Sequence, residues 1–142
     1  MGYSEALEAN GVTVKEMKEF GSYQGTWIAI LEDGRFVEGS YGSCSGCDSF
    51  QAEFDYADQP TFEEKTGKYF KTYRTWDEED ECSKDEYEKH LEAYNEKLRL
   101  FGKEYLDSAE TKEEIVSRFT KKCECEHAWE DDKEILEWLQ SK

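Results

Sequence analysis

Four of the five cysteines in this 142-residue chain fall into two close pairs, Cys44-Ser45-Gly46-Cys47 and Cys123-Glu124-Cys125. Two thiolates separated by two residues in a glycine-containing turn fold their sulfurs to the same side. They can then converge on one ion, as structural zinc sites commonly arrange a first pair of ligands. If the second pair is extended, its side chains at i and i+2 share a face and complete a four-thiolate shell. The spacing predicts one structural zinc held by Cys44, Cys47, Cys123 and Cys125, with His127 as an alternate fourth ligand and Cys82 a remote one. A shell closed by four protein ligands leaves no position for a substrate, so such an ion serves the fold and not a reaction.

Other uses of the same residues stay open. A redox dithiol places its first cysteine at a helix N-terminus, where the dipole lowers the thiol pKa. Here Gly42-Ser43 and Asp48-Ser49 suit a turn, and a neighbouring acid raises a thiol pKa. A catalytic zinc drawn from His127 with Glu124 or Glu126 would also need a water position and a general base. A small metalloenzyme or thiol redox protein using these cysteines is therefore the alternative, beside cysteines that bind nothing. His90 shares no local pattern with a cysteine and reads as an ordinary solvated or packed histidine. The sequence has no Ser-His-Asp spacing and no glycine-rich phosphate loop.

The second chemical feature is charge. Asp77, Glu78, Glu79, Asp80 and Glu81 form a run continued by Asp85, Glu86, Glu88 and Glu92, and a second cluster gathers Glu124, Glu126, Glu130, Asp131, Asp132, Glu134 and Glu137. Thirty-five acids against eighteen Lys and Arg give a formal charge of −17. Such a chain repels phosphate backbones and anionic membrane surfaces and attracts basic proteins, which disfavours direct nucleic-acid binding. The plain reading of the clusters is a solvated surface. The sharper one is a docking face, with Asp77 to Glu81 and Asp131 and Asp132 at its centre, that occupies a basic groove on another protein by imitating the charge of DNA or RNA. An EF-hand calcium loop is not available at 77–81, where the required glycine and ligand alternation are missing.

The elements that must position these residues follow from periodicity. The length suits one domain over 1–142. Thr26 to Leu31 and Arg35 to Glu38 are β-prone, with Asp33-Gly34 between them as a two-residue hairpin signal. Phe50 to Tyr56 alternates apolar and polar residues and reads as a third strand, making an antiparallel meander over about 23–56 whose second connection carries Cys44 and Cys47. Val12, Met17 and Phe20 suggest a short helix before it. Residues 60–76 are ambiguous and lean towards helix, because Thr61-x-x-Glu64 looks like a capping box. Ser83-x-x-Glu86 opens a long amphipathic helix over about 84–106, marked by Tyr87, Leu91, Tyr94, Leu98, Phe101 and Tyr105. Thr111 and then Asp131 or Asp132 open two further helices, about 111–121 and 130–140. Strands followed by helices predict an α+β fold with helices covering one face of the sheet.

The first residues carry neither a basic n-region nor an apolar h-region, and no run reaches the roughly 20 apolar residues of a membrane span. Five cysteines without a secretory signal point to a reducing, cytoplasmic setting. Tyr41-Gly42-Ser43-Cys44-Ser45-Gly46-Cys47-Asp48, placed after a Trp-containing hairpin, resembles a segment of small uncharacterised bacteriophage and prophage proteins over about residues 23–56. The resemblance implies a phage-type origin and brings no catalytic residues with it. Joined to the acidic faces, it leads to the expectation of a non-enzymatic inhibitor, of anti-CRISPR or anti-restriction type, acting on a host nucleic-acid enzyme in the host cytoplasm. The sequence assigns no oligomeric state.

Overall fold

The computed structural model describes residues 2–42, 48–54, 59–71, 81–125 and 130–142. Its organising element is the strand β2 (Gly25–Leu31), in which Trp27, Ile28, Ala29, Ile30 and Leu31 are all buried. Successive side chains of a strand point to opposite faces, so a run buried at every position needs cover on both sides. β1 (Val14–Gly21) and β3 (Phe36–Tyr41) flank it antiparallel in the order β1-β2-β3. The β2–β3 connection is the expected Asp-Gly hairpin, closed by Leu31 N–H donating to Arg35 O at 2.9 Å. It has three residues and not two, with Gly34 at φ +91° supplying the left-handed conformation such loops require.

Helices lie on both faces of this sheet, where cover of one face was expected. On one face Phe20, Ile28, Ile30 and Phe36 pack against Ile115 and Phe119 of α4 (Lys112–Glu124) and Ile135 and Leu139 of α5 (Glu130–Gln140). On the other, Trp27, Ala29, Leu31, Val37 and Tyr41 meet Tyr3 and Leu7 of α1 (Tyr3–Glu8) and Phe101, Tyr105 and Leu106 of α3 (Lys84–Asp107). The α+β class and the three C-terminal helices are as the periodicity predicts. Ser83 Oγ caps α3 by accepting from Glu86 N–H, and Thr111 and Glu114 form a reciprocal capping box at α4. Between those helices Glu110 exchanges two backbone hydrogen bonds with Phe36, at 2.8 and 2.9 Å, so the α3–α4 junction is tied to the start of β3.

Three expectations are corrected. The stretch with Val12, Met17 and Phe20 is largely β1 and not a helix: a bulge between Val14 and Glu16 shifts the alternation. Val14 and Met17 consequently share one face while Phe20 turns to the other, which mimics helical spacing. The supposed third strand begins as the short helix α2 (Ser49–Glu53). Phe50 and Phe54 stack at 4.6 Å, a pair at i and i+4 that also satisfies strand alternation. Within 60–76, the described residues form a hairpin of β4 (Thr61–Glu63) and β5 (Lys68–Phe70), joined by β6 (Glu81–Cys82) in a second sheet. Gly67 at φ +70° turns the chain where a helix would have to continue.

Candidate functional site

Of the six residues predicted to hold or approach a metal, Cys44, Cys47 and His127 lie outside the described residues. Cys123, Cys125 and Cys82 are free thiols. The second pair departs from the extended geometry expected of it. Cys123 is in the last turn of α4, four residues beyond Phe119, so it continues the Ile115–Phe119 stripe and is half-buried. Cys125 is the exposed C-cap residue with extended backbone, its Sγ 3.5 Å from Lys121 O. Among the described residues no three His, Cys, Asp and Glu side chains gather closely enough to hold a metal ion. Burial pushes the Cys123 and Cys82 thiols up, with Asp132 adding to the effect at Cys123 and Glu86 at Cys82. A thiol shifted in that direction is a poorer nucleophile at neutral pH.

The flanks of the first pair are well defined. β3 ends at Tyr41, whose ionisation is disfavoured by burial and by the charges of Glu19 and Asp131, so the first turn of α5 lies near it. Cys123 in turn feels Asp132 of the same turn. α4 is held alongside β3 by Arg118, which pairs with Glu110 at 2.6 Å and also with Glu38 of β3, while Lys122 reaches Glu38 at 3.9 Å. Gly42 follows β3 directly, and the end of α4 that carries Lys122 lies beside β3 at Glu38.

Sequence reasoning missed the residues that fasten the chain beyond β3. Asp48, directly after Cys47, is 1% exposed, and its carboxylate accepts from the Tyr3 hydroxyl at 2.5 Å, Phe50 N–H at 2.9 Å and Gly42 N–H at 3.0 Å. An aspartate at a turn raises no alarm in a sequence so rich in acids. Tyr3 has no sequence signal at all, because its role depends on where α1 docks.

The acidic residues divide as follows. Asp77, Glu78, Glu79 and Asp80 lie outside the described residues. Glu81 is exposed on β6 and reaches Lys68 at 3.7 Å; Glu86 reaches Lys71 at 3.5 Å. Asp131 and Asp132 are half-buried in the first turn of α5, where negative charge complements the helix dipole. A feature the cluster reading passed over is a row on α3. At 100° per residue, Asp85, Glu88, Glu92 and Glu96 fall on one stripe, opposite the stripe of Tyr87, Leu91, Tyr94, Leu98, Phe101 and Tyr105. All four acids are exposed, and among the described residues Glu96 is paired along the helix, with Arg99 at 2.6 Å. His90 is exposed on the same helix, as an ordinary solvated histidine would be.

An open cleft of about 440 Å³ lies between α2 and α3, with Phe54, Phe101 and Tyr105 on its apolar side and Ser49, Lys97 and Glu104 as its polar groups. No helix among the described residues is long and apolar enough to cross a membrane. No protein-family model, no curated protein and no solved structure matches the chain.

Proposed function

We propose that the chain is a non-enzymatic acidic binding protein, stabilised by zinc, whose outward carboxylates occupy a basic surface of another protein. The observation that carries this reading is the α3 row. Asp85, Glu88 and Glu92 repeat every three or four residues, so at 1.5 Å per residue their negative charges recur about every 5 Å along one face of a rigid rod, up to Glu96, which is paired with Arg99. That spacing is of the order of the 3.4 Å axial interval between phosphates of one DNA strand. The apolar side of α3 is spent on the fold, which leaves the acidic side for a partner. The partner class that fits is a nucleic-acid enzyme with a basic groove, and the inhibitor reading is a phage-encoded protein blocking a host nuclease, of anti-CRISPR or anti-restriction type. Support for the zinc clasp is the spacing of the cysteines themselves, with Gly42 and Asp48 flanking the first pair and the second pair closing α4.

A pull-down of purified restriction and CRISPR nucleases on the immobilised protein tests the surface. Capture is expected at about 0.1 M salt and not at about 1 M, where the screening length falls from about 10 to about 3 Å. The double variant Glu88→Lys, Glu92→Lys is expected to lose capture at either salt. Capture that ignores both salt and charge reversal, or capture of no nuclease, counts against the reading. For the clasp, about one zinc per chain is expected by elemental analysis, together with a lower melting temperature after chelation.

A further inference from the structure

We propose that the cleft between α2 and α3 is a binding site for a small organic cation, a protonated amine carried on an aromatic or branched apolar body. Its volume of about 440 Å³ lies in the range of small-molecule sites, roughly 300–1,000 Å³, where apolar walls bury the ligand and a few polar groups orient it. The apolar wall is already assembled. Phe54, 6% exposed, stacks on Phe50 at 4.6 Å and meets Phe101 edge-on at 5.4 Å, and Phe101 packs in turn on Tyr105 at 5.4 Å. Leu100 lines the same cleft and is 50% exposed, so apolar surface is left open there for a ligand to cover. The polar groups decide the sign of that ligand. At one end stand oxygens: the Tyr105 hydroxyl, Ser49, which hydrogen-bonds to it, and the Glu104 carboxylate. Tyr105 resists ionisation chiefly through burial and then through the charges of Asp48 and Glu104, which places Glu104 near that hydroxyl. Carboxylate and hydroxyl oxygens accept from an ammonium, and the chain's charge of −17 draws cations in and repels anions. Lys97 stands at the other end, its Nζ 4.9 Å from the centre of the Phe54 ring and two turns, about 10 Å, along α3 from Glu104. A ligand whose ammonium faces Glu104 and whose body lies on Leu100 and Phe101 keeps clear of that charge. The site uses none of the acids of the α3 row and stands whether or not those acids take a protein partner.

The test titrates the full chain with 2-phenylethylammonium chloride and follows backbone amides by two-dimensional NMR, at about 0.15 M salt, where exposed charges are screened beyond about 8 Å. Saturable shifts at Ser49, Ala52, Leu100 and Glu104 are expected, with half-saturation at about 1 mM or below. 3-Phenylpropionate, of similar size and opposite charge, and ethylammonium, which lacks the ring, are expected to bind about tenfold more weakly or not at all. Glu104→Gln should weaken the phenylethylammonium complex about threefold or more, and Leu100→Lys, which sets a cation on the rim, should abolish it. Glu113→Gln, which removes an exposed acid from α4, is expected to leave the complex unchanged. Shifts that do not saturate, or phenylpropionate binding as tightly as the amine, overturn the site. So does an equal loss in Glu113→Gln and Glu104→Gln, which would mean attraction to the net charge alone. Should Glu104→Gln fail to fold, Leu100→Lys, at an exposed position, decides in its place.

Discussion

Trp27 has no exposed surface, and its indole Nε1 has no hydrogen-bond partner among the described residues. Leaving a buried donor unpaired costs about 1–3 kcal/mol, which contacts with the rings of Tyr3 and Tyr105 help to offset. Gly39, directly across the β2–β3 ladder, makes room for the indole: a Cβ built there would sit 2.3 Å from ring atoms of Trp27. Gly39→Ala is expected to destabilise the protein by about 1–3 kcal/mol in urea unfolding, even though alanine is ordinarily the better strand residue. Stability equal to wild type would mean that the ring moves freely and that the packing around it is loose. At this scale the sequence was only partly legible. Ile115, Phe119 and Cys123 recur every four residues, so the inward half of the Cys123-x-Cys125 pair was there to be read. Asp48 and Tyr3, separated by most of the sheet, were not.

Between helices, α1 and α3 approach closely. A Cβ on Gly102 would lie 2.0 Å from Ala6 O and 2.4 Å from its carbonyl carbon, both backbone atoms that no rotamer change can clear. Gly102→Ala would gain about 1 kcal/mol of helix propensity in an isolated helix. Here the clash should win, with a net loss of about 1–3 kcal/mol and faster proteolysis near α1; a stabilised variant would show that the two helices can part at little cost. The elements that declared themselves did so through periodicity joined to a stop or start signal: the Asp-Gly hairpin, the Ser83 cap and the Thr111–Glu114 box. Those that misled had two periods in one segment. The bulge in β1 put Val14 and Met17 three residues apart on one face, and Phe50 with Phe54 satisfied helix and strand alike. The unbroken apolar run from Trp27 to Leu31 was the available sign that both faces of the sheet are covered.

Among the described residues, helices cover both faces of the sheet β1-β2-β3, a second small sheet of β4, β5 and β6 stands beside it, and much of the aromatic content lies on the side of α1 and α3. Burial raises the pKa of Tyr3, Tyr41 and Tyr105, reinforced at each by nearby carboxylates. A phenol whose folded pKa lies above its unfolded value of about 10 keeps its proton longer in the native state. Stability is then fully present below about pH 10 and falls as the pH rises beyond it, because the unfolded chain releases those protons first. Urea midpoints measured from pH 8 to 11 should drop over that upper range, and Tyr3→Phe should flatten the drop; an unaltered slope in that variant would remove Tyr3 from the account. The docking of α1 on α3 has one more consequence, in time and not in energy. A ribosome releases α1 ahead of the elements that follow it here, yet the groove at Gly102 that receives it is made about 96 residues after Ala6 (102 − 6). Until then Tyr3 and Leu7, both 1% exposed in the finished protein, have only the sheet face around Trp27 to pack on, so the nascent chain carries α1 half-covered until α3 arrives.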